Sequence, residues 1–203
     1  EKGLENLEKH VENIRKFEQP CVIAINHFPS DTAAEIEAVR RLCASHGIEA
    51  VEARPFSEGG DGCRALAEVV ADIANRGRAG FRPLYDWPAP IEEKIRTIAR
   101  EMYGAQAVDY TVRAKRDRAQ LEKLGYGGLP VCIAKTQQSL SDNPALLGRP
   151  KDFLVTVREI QLAAGAGFVI PITGQILRMP GLPREPLAAG FDLREDGEIE
   201  IRA

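Results

Sequence analysis

Residues 21–32 read Cys21-Val22-Ile23-Ala24-Ile25-Asn26-His27-Phe28-Pro29-Ser30-Asp31-Thr32. The opening side chains are apolar and rich in β-favouring types, which predicts a short, fully buried strand. Asn26 ends the apolar run. Pro29 has no backbone N–H to continue a ladder, and it biases Phe28 toward extended backbone. Thr32 and Glu35 have the spacing of a capping box, which opens a helix. The stretch is therefore strand, short loop, helix. In open α/β sheets ligands bind in the crevice beyond the carboxyl ends of the strands, where Asn26, His27 and Phe28 fall. Phe28 is a large apolar ring in a loop, with nothing local to bury it.

Upstream, Leu4, Leu7, Val11, Ile14 and Phe17 recur at helical spacing, predicting an amphipathic helix over 2–17 that Pro20 ends. Downstream, Ile36, Val39 and Cys43 mark one face of a helix that stops at Gly47, a residue suited to a left-handed cap. Residues 48–53 read as a second strand. Two strands joined by a helix form a right-handed βαβ unit and so lie parallel. A third helix follows over about 62–76, with Leu66, Val69, Val70 and Ile73 inward.

The two strand ends are equivalent places, each followed by Pro and Phe and then a helix N-terminus. Phe28 and Phe56 thus arise from neighbouring loops on one edge of the sheet. Two rings there could grip a flat ligand from both faces, with stacking of the order of 1 kcal/mol per contact beyond burial. The competing reading makes each ring a plug sealing its loop onto the core. Gly59-Gly60-Asp61-Gly62 invites a phosphate-loop reading, because N–H groups at a helix N-terminus favour anions. The chain contains no GxxxxGK[ST], and Asp61 as N-cap would fill those donors itself. A tight turn with a capped helix is the better reading. Asn26 resembles the base-recognising position of P-loop nucleotide-binding proteins; a side chain bonded to its own loop is favoured on local grounds.

Residues 79–90, with Gly80, Pro83, Trp87, Pro88 and Pro90, form a boundary. This divides the chain into an α/β domain over 1–88 and an α+β domain over 89–203, with Trp87 as a packing anchor between the halves. Pro90 suits a first helical position, and Ile91, Ile95, Ile98 and Met102 mark a helix that Gly104 stops. Residues 107–112 alternate as a half-buried strand. In the charged helix that follows, over about 113–124, a solvated face accounts for Lys115, Arg116, Arg118 and Lys123. Residues 131–134 are a short apolar strand leading into the polar loop 135–142. That loop could contact a ligand or partner domain, or tie down a long connection. Segments 153–162 and 168–176 read as antiparallel strands joined by a small-residue turn. Met179-Pro180-Gly181-Leu182-Pro183 forces an irregular segment, and Ile199 and Ile201 suggest a last edge strand. The fold class is α/β: a parallel βαβ, three-layer first half, then a smaller α+β second half with antiparallel strands.

A chain of 203 residues suits one large domain or two small ones. Net charge is −3 and neither half carries the strong basic excess of a nucleic-acid binder. No apolar run approaches the roughly 20 residues needed to span a bilayer. The start, Glu1-Lys2-Gly3-Leu4-Glu5, has no signal-peptide pattern; it opens inside a helix and without Met, which points to a piece of a longer chain. Cys21, Cys43, Cys63 and Cys132 form no CxxC pair and histidine is too sparse for a zinc cluster. Four buried free thiols in a reducing compartment are expected, and no metal site.

Several segments together resemble formate–tetrahydrofolate ligase. They are Leu7-Glu8-Lys9-His10-Val11-Glu12-Asn13-Ile14, Ala24-Ile25-Asn26-His27-Phe28-Pro29-Ser30-Asp31-Thr32 and Gly59-Gly60-Asp61-Gly62. To these add Leu129-Pro130-Val131-Cys132-Ile133-Ala134-Lys135-Thr136-Gln137, Ser139-Leu140-Ser141-Asp142, Val157-Arg158-Glu159, Ala164-Gly165-Ala166-Gly167-Phe168 and Met179-Pro180-Gly181-Leu182-Pro183. They stand in the family's order and cover nearly the whole chain, which resembles the family's C-terminal portion. The resemblance implies an enzyme that makes 10-formyltetrahydrofolate from formate, tetrahydrofolate and ATP through formyl phosphate. It also implies Mg²⁺, a supporting monovalent cation, a cytoplasmic homotetramer and an upstream nucleotide-binding domain. The family's phosphate-binding loop lies upstream and is absent here, so ATP and Mg²⁺ fall to the upstream part. No catalytic residue is assigned, and this piece alone is expected to be inactive.

The family holds the folate ring system between two aromatic side chains. The first carries over to Phe28, with Pro29 beside it. Phe56 stands where the second is usually Trp, which leaves stacking with a smaller area. Gly59 and Gly60 carry over as loop-shaping residues near the ligand, and Asn26 remains a possible loop contact. A second functional reading is a non-catalytic domain for oligomer assembly and support of the upstream nucleotide domain; the long strands of the second half suit it. An independent nucleotide-binding domain built on Asn26 is a third, weakened by the absent phosphate loop.

Overall fold

Helix α1 (Leu4–Lys16) leads into strand β1 (Ile23–Asn26), helix α2 (Ala33–Ser45) and strand β2 (Ala50–Ala53). The computed structural model describes residues 3–76, 80–174, 176 and 184–201. The capping box forms: Glu35 N–H donates to Thr32 Oγ1 at 3.3 Å, and Thr32 N–H donates to the Glu35 carboxylate at 3.0 Å. Gly47 takes φ +64° behind α2, a left-handed turn that costs glycine little. β1 and β2 pair in parallel from Ile23↔Ala50 to Asn26↔Ala53. Val11, Cys43 and Ile48 form the core beneath them, packed by Leu7, Ile23, Val39 and Ala50.

β1 is not fully buried as its composition predicts. Ala24 and Asn26 are exposed and Ile23 and Ile25 only half-buried. The sheet has two strands, and α1 and α2 cover the face that carries Ile23; the alternate side chains of β1 meet no such cover.

After β2 the chain makes a single turn, α3 (Pro55–Glu58), then a tight 3₁₀ turn over Asp61–Cys63, then α4 (Arg64–Asn75), which packs on β2. Asp61 is not the N-cap. It lies inside the 3₁₀ turn, away from the first free N–H groups of α4, and its carboxylate pairs with Arg64 at 2.7 Å. Leu66, Val69 and Ile73 are half-buried, whereas Val70, expected inward, is exposed.

In the second half, α5 (Ile91–Ile98) follows Pro90, which holds the capping position just before the first helical residue. A π turn over Ala99–Tyr103 carries the helix to Gly104 at φ +82°. Strand β3 (Ala107–Tyr110) and helix α6 (Val112–Lys123) follow, the helix capped by Thr111 Oγ1, which accepts from Ala114 N–H at 3.2 Å. β4 (Leu154–Ala163) lies between β3 and β5 (Phe168–Thr173), parallel to the first and antiparallel to the second. Residues 131–134 make isolated bridges to β5 at Val169 and Ile172 and not a continuous strand. Ile91, Ile95, Ala114, Leu121, Val157, Ile160 and Val169 form this core. A small antiparallel hairpin, β6 (Phe191–Leu193) with β7 (Ile199–Ile201), closes the chain. The irregular segment expected at 179–183 lies outside the described residues.

Of the four cysteines only Cys43 is buried; Cys21 and Cys63 are half-buried and Cys132 is exposed. Cys132 sits on the bridging segment and faces an open apolar cleft of ≈ 400 Å³ shared with Phe17, Phe81, Trp87 and Ile133. Trp87 stands half-exposed on its rim. The polar loop 135–142 ties itself down. Ser139 and Ser141 are buried with their hydroxyls 2.8 Å apart, and Asp142 accepts from Thr156 N–H at 2.8 Å.

α1 also grips the second half. Lys9 Nζ donates to Glu101 O and Asn13 Nδ2 to Met102 O, each at 2.8 Å, and Asn6 Nδ2 reaches Gly148 O at 3.0 Å. Arg149 makes a bidentate pair with Glu12, both bonds 2.8 Å. Burial works against the Glu12 carboxylate, but the bonds and charge of Arg149 together with the charges of Lys9 and Lys16 outweigh it and hold its pKa below the ordinary value of 4.5. Glu101, bonded by Lys16, is lowered as well. A carboxyl lowered by folding contributes stability that is complete above its ordinary pKa and lost as pH falls through the lowered one. Urea unfolding across a pH series is therefore expected to show a plateau near neutrality and a decline below the ordinary glutamate value of 4.5. Arg149→Ala is expected to lower the plateau by about 1 kcal/mol and make that decline shallower.

Candidate functional site

The parallel register brings the carboxyl ends of β1 and β2 level. Asn26 lies opposite Ala53, and His27 N–H donates to Ala53 O at 2.9 Å just beyond the last pair. The two chains leave the sheet side by side, one toward Phe28 and the other toward Phe56. The first loop is closed by Asp31: its carboxylate accepts from Phe28 N–H at 2.8 Å, and its own N–H donates to Phe28 O at 2.9 Å. An aspartate bonding to nearby backbone in this way holds a turn. The same role expected of Asn26 is not taken by it. Its side chain is exposed and makes no hydrogen bond among the described residues.

The second loop folds over itself. Arg54 N–H donates to Gly62 O at 3.0 Å, and Glu58 N–H donates to Arg54 O at 3.0 Å. Pro55 opens α3, where its missing N–H costs nothing, and the single turn lifts Phe56 outward. Gly59 closes that turn at φ +56°; Gly60 has ordinary helical backbone, and both stand in open space. Gly62 matters sterically in a way sequence reading missed. A Cβ there would lie 2.5 Å from Arg54 O and 2.8 Å from Glu58 Cβ.

Phe28 is 44 % exposed and Phe56 78 %, so neither ring is a plug in the core. Their centroids are 6.4 Å apart and the planes are tilted by 41°. A flat heterocycle between two parallel rings needs about 7 Å, two carbon contacts of about 3.5 Å each. The observed pair falls short of that by little, and exposed rings can turn to make it up. Pro29 is exposed beside Phe28. The rings thus offer an open, apolar grip without a reactive group between them. Among the described residues no three His, Cys, Asp or Glu side chains converge as a metal site would require.

Charge gathers directly behind the rings. Glu52, on β2, accepts from Arg54 Nε at 2.8 Å and Nη2 at 2.6 Å, and from Arg40 of α2 at 3.1 Å; His27 Nδ1 lies 2.9 Å from the same carboxylate. The Arg54 bonds hold the Glu52 carboxyl below the usual range against the opposing effect of burial, and Arg54 is raised in return. The alternation of residues 50–53 places Glu52 on the face of Ala50, but its partners come from three separate stretches of chain. Sequence spacing signals Arg54, two residues on, but not His27 or Arg40. A cleft of ≈ 530 Å³ lined by Thr111, Arg113, Arg158 and Glu159 lies in the other half of the chain and includes neither ring. No helix among the described residues is long and apolar enough to cross a membrane.

Residues 1–201 match the profile of the family described as formate–tetrahydrofolate ligase. The chain is 52% identical over 197 residues to the formate–tetrahydrofolate ligase of Syntrophus aciditrophicus (strain SB), a match covering 97% of this chain and 35% of that protein. The chain thus spans about a third of the length of this curated relative.

The loop geometry separates the glycines. Gly62→Ala is expected to cost about 1–3 kcal/mol in thermal unfolding, since a β-carbon there is driven into backbone that cannot yield cheaply. Gly60→Ala, in helical backbone with open space around it, is expected to be neutral or stabilising by up to about 1 kcal/mol.

Proposed function

The chain belongs to the formate–tetrahydrofolate ligase family, and from that membership we propose that it supplies the folate-side wall of a ligase site. The ligase in question makes 10-formyltetrahydrofolate from formate, tetrahydrofolate and ATP. The observation that carries the reading is the exposed ring pair Phe28 and Phe56, 6.4 Å apart at adjacent strand ends. The tetrahydropterin head of the substrate is two fused six-membered rings; its conjugated pyrimidine ring presents a π face to each phenyl group, and the reduced ring packs beside it as apolar surface. Offset stacking on both sides is worth about 1 kcal/mol per ring beyond the area buried. Pro29 extends the apolar floor, and the Gly59-Gly60 corner keeps side chains out of the approach.

In this reading the chain's part in the reaction is positional. The folate amine attacks the carbonyl carbon of formyl phosphate; a C–N bond forms, the C–O bond to phosphate breaks, and the phosphate leaves carrying the proton that the amine gives up. Holding the amine in line with its electrophile lowers the barrier by removing translational and rotational freedom. Charge stabilisation at a transferring phosphoryl group requires cations and metal aimed at its oxygens. The donor set near the rings does not fit ATP phosphates, Mg²⁺ or the family's monovalent cation. Arg40, Arg54 and His27 are turned onto Glu52, and among the described residues no three His, Cys, Asp or Glu side chains converge. Those ligands are accordingly assigned to an upstream nucleotide-binding part of a longer cytoplasmic polypeptide that works as a homo-oligomer.

In the full-length ligase, Phe28→Ala and Phe56→Ala are each expected to raise the folate KM by about 5- to 20-fold, in line with the loss of one stacking face. The KM values for ATP and formate, and the oligomeric mass by light scattering, should stay as they are. Phe56→Trp should lower the folate KM. An unchanged folate KM together with weakened assembly would favour a structural domain instead. Residues 1–203 alone are expected to show no formate- and folate-dependent ATP consumption; measurable turnover would refute the division of labour.

A further inference from the structure

We propose that Glu52 is a positioning residue whose single carboxylate sets the separation and attitude of the two ring-bearing loops. The proposal rests on the reading of Phe28 and Phe56 as a clamp, and it goes further by naming what holds the clamp at its width. His27, which faces Glu52 at 2.9 Å, is the residue next to Phe28. Arg54, bonded to the same carboxylate at 2.8 and 2.6 Å, is separated from Phe56 by Pro55 alone. Proline fixes φ at that step, so the direction of Arg54 is passed stiffly to the ring.

Arg54 is held on its other side too. Its Nη1 lies 3.4 Å from the Glu58 carboxylate, and its backbone closes the loop through Gly62 O and Glu58 N–H. The turn that carries Phe56 is therefore bolted to Glu52 through one guanidinium. Arg40 completes the arrangement at 3.1 Å from α2, the helix that follows the Phe28 loop. The end of β1, through His27, and α2, through Arg40, thus meet the end of β2, which carries both Glu52 and Arg54, at one group.

The group is shielded enough to matter. The Glu52 side chain is 20 % exposed and that of His27 18 %, against 45 % for Arg54 and 46 % for Arg40. Isolated, fully exposed ion pairs are screened and bring little, whereas a network around a half-buried carboxylate is screened less. Glu52 also neutralises its partners. Without its charge, Arg40 and Arg54 would face each other across the end of the sheet, and like charges at that range push apart. The loops would spread and the rings with them. Because Glu52 touches no reacting atom, the consequence falls on folate affinity and not on the chemical step.

The test uses the full-length ligase with Phe28→Ala as reference. Glu52→Gln keeps the shape but not the charge, and Glu52→Leu removes both. Each is expected to raise the folate KM roughly fivefold, the scale of one lost network interaction, with kcat and the KM for ATP and formate unchanged. A carboxylate that served stability alone would lower the melting temperature and leave the folate KM where it was; that result overturns the proposal. Arg54→Gln, a change at a half-exposed side chain, probes the same link from the other side should the Glu52 variants fold poorly. It too must raise the folate KM, and the double variant Glu52→Gln/Arg54→Gln must raise it by less than the product of the two single effects. Independent, multiplicative effects would overturn the proposal. If Phe28→Ala raises the folate KM while the Glu52 and Arg54 variants do not, the clamp stands and Glu52 has no part in it. If Phe28→Ala leaves the folate KM unchanged, the clamp itself falls.

Discussion

The parallel pairing of β1 with β2 is the constraint on which the ring site depends. Parallel strands need a crossover, here α2, and the crossover returns the chain so that both strands run out of the sheet on the same side. Neighbouring strands lie about 4.8 Å apart, so residues just past the two ends are held within a ring's width of each other. An antiparallel pairing of the same four-residue strands would put Phe28 and Phe56 at opposite ends, on the order of 13 Å apart at about 3.3 Å per residue. The separation of 6.4 Å is therefore a consequence of topology first and of side-chain packing second.

Topology sets the neighbourhood, and polar bonds within the loops set the fine geometry. Asp31 closes one loop and the Arg54–Gly62 backbone bond closes the other. Because those bonds are local to each loop, neither fixes one loop against the other. The Glu52 carboxylate spans them through its side-chain partners, beside the backbone bond from His27 to Ala53. A site of this kind is open and apolar at its surface and charged just beneath. Its rings face solvent, while the charges serve the protein's own loops.

The second half supplies a scaffold of a different character. Its core is dense enough to enclose Lys94 completely, and the ammonium is satisfied by Gly127 O at 3.2 Å and Leu129 O at 2.9 Å. Burial pushes the Lys94 pKa down, as desolvation does for any buried cation. The carbonyl bonds compensate part of that cost and pin the 127–129 turn against α5. α1 joins this scaffold to the ring-bearing half through side chains that reach residues 101, 102, 148 and 149. Several of the polar bonds that cross the chain's apparent midpoint thus come from the helix at its start, far from that midpoint in sequence.

What the sequence determined by itself was everything that depends on a few adjacent residues. The Thr32–Glu35 box, the Gly47 and Gly104 stops, the β1–α2–β2 order and the antiparallel strands flanking residues 163–167 all follow from propensity, capping and spacing, and the coordinates carry them. Equivalent placement of Phe28 and Phe56 was legible for the same reason, once the strands were parallel. Only the tertiary structure decided that β1 is half-exposed, that Asp61 turns to Arg64 and leaves α4 uncapped, that three of the four thiols are not buried, and that Gly62 has no room for a Cβ. It alone brought His27 and Arg40 onto Glu52 beside its near neighbour Arg54. Burial and ion pairing are settled by which segments meet in space, and neither His27 nor Arg40 adjoins Glu52 in sequence. Local chemistry can fix what each segment is, but the company it keeps is a property of the folded chain.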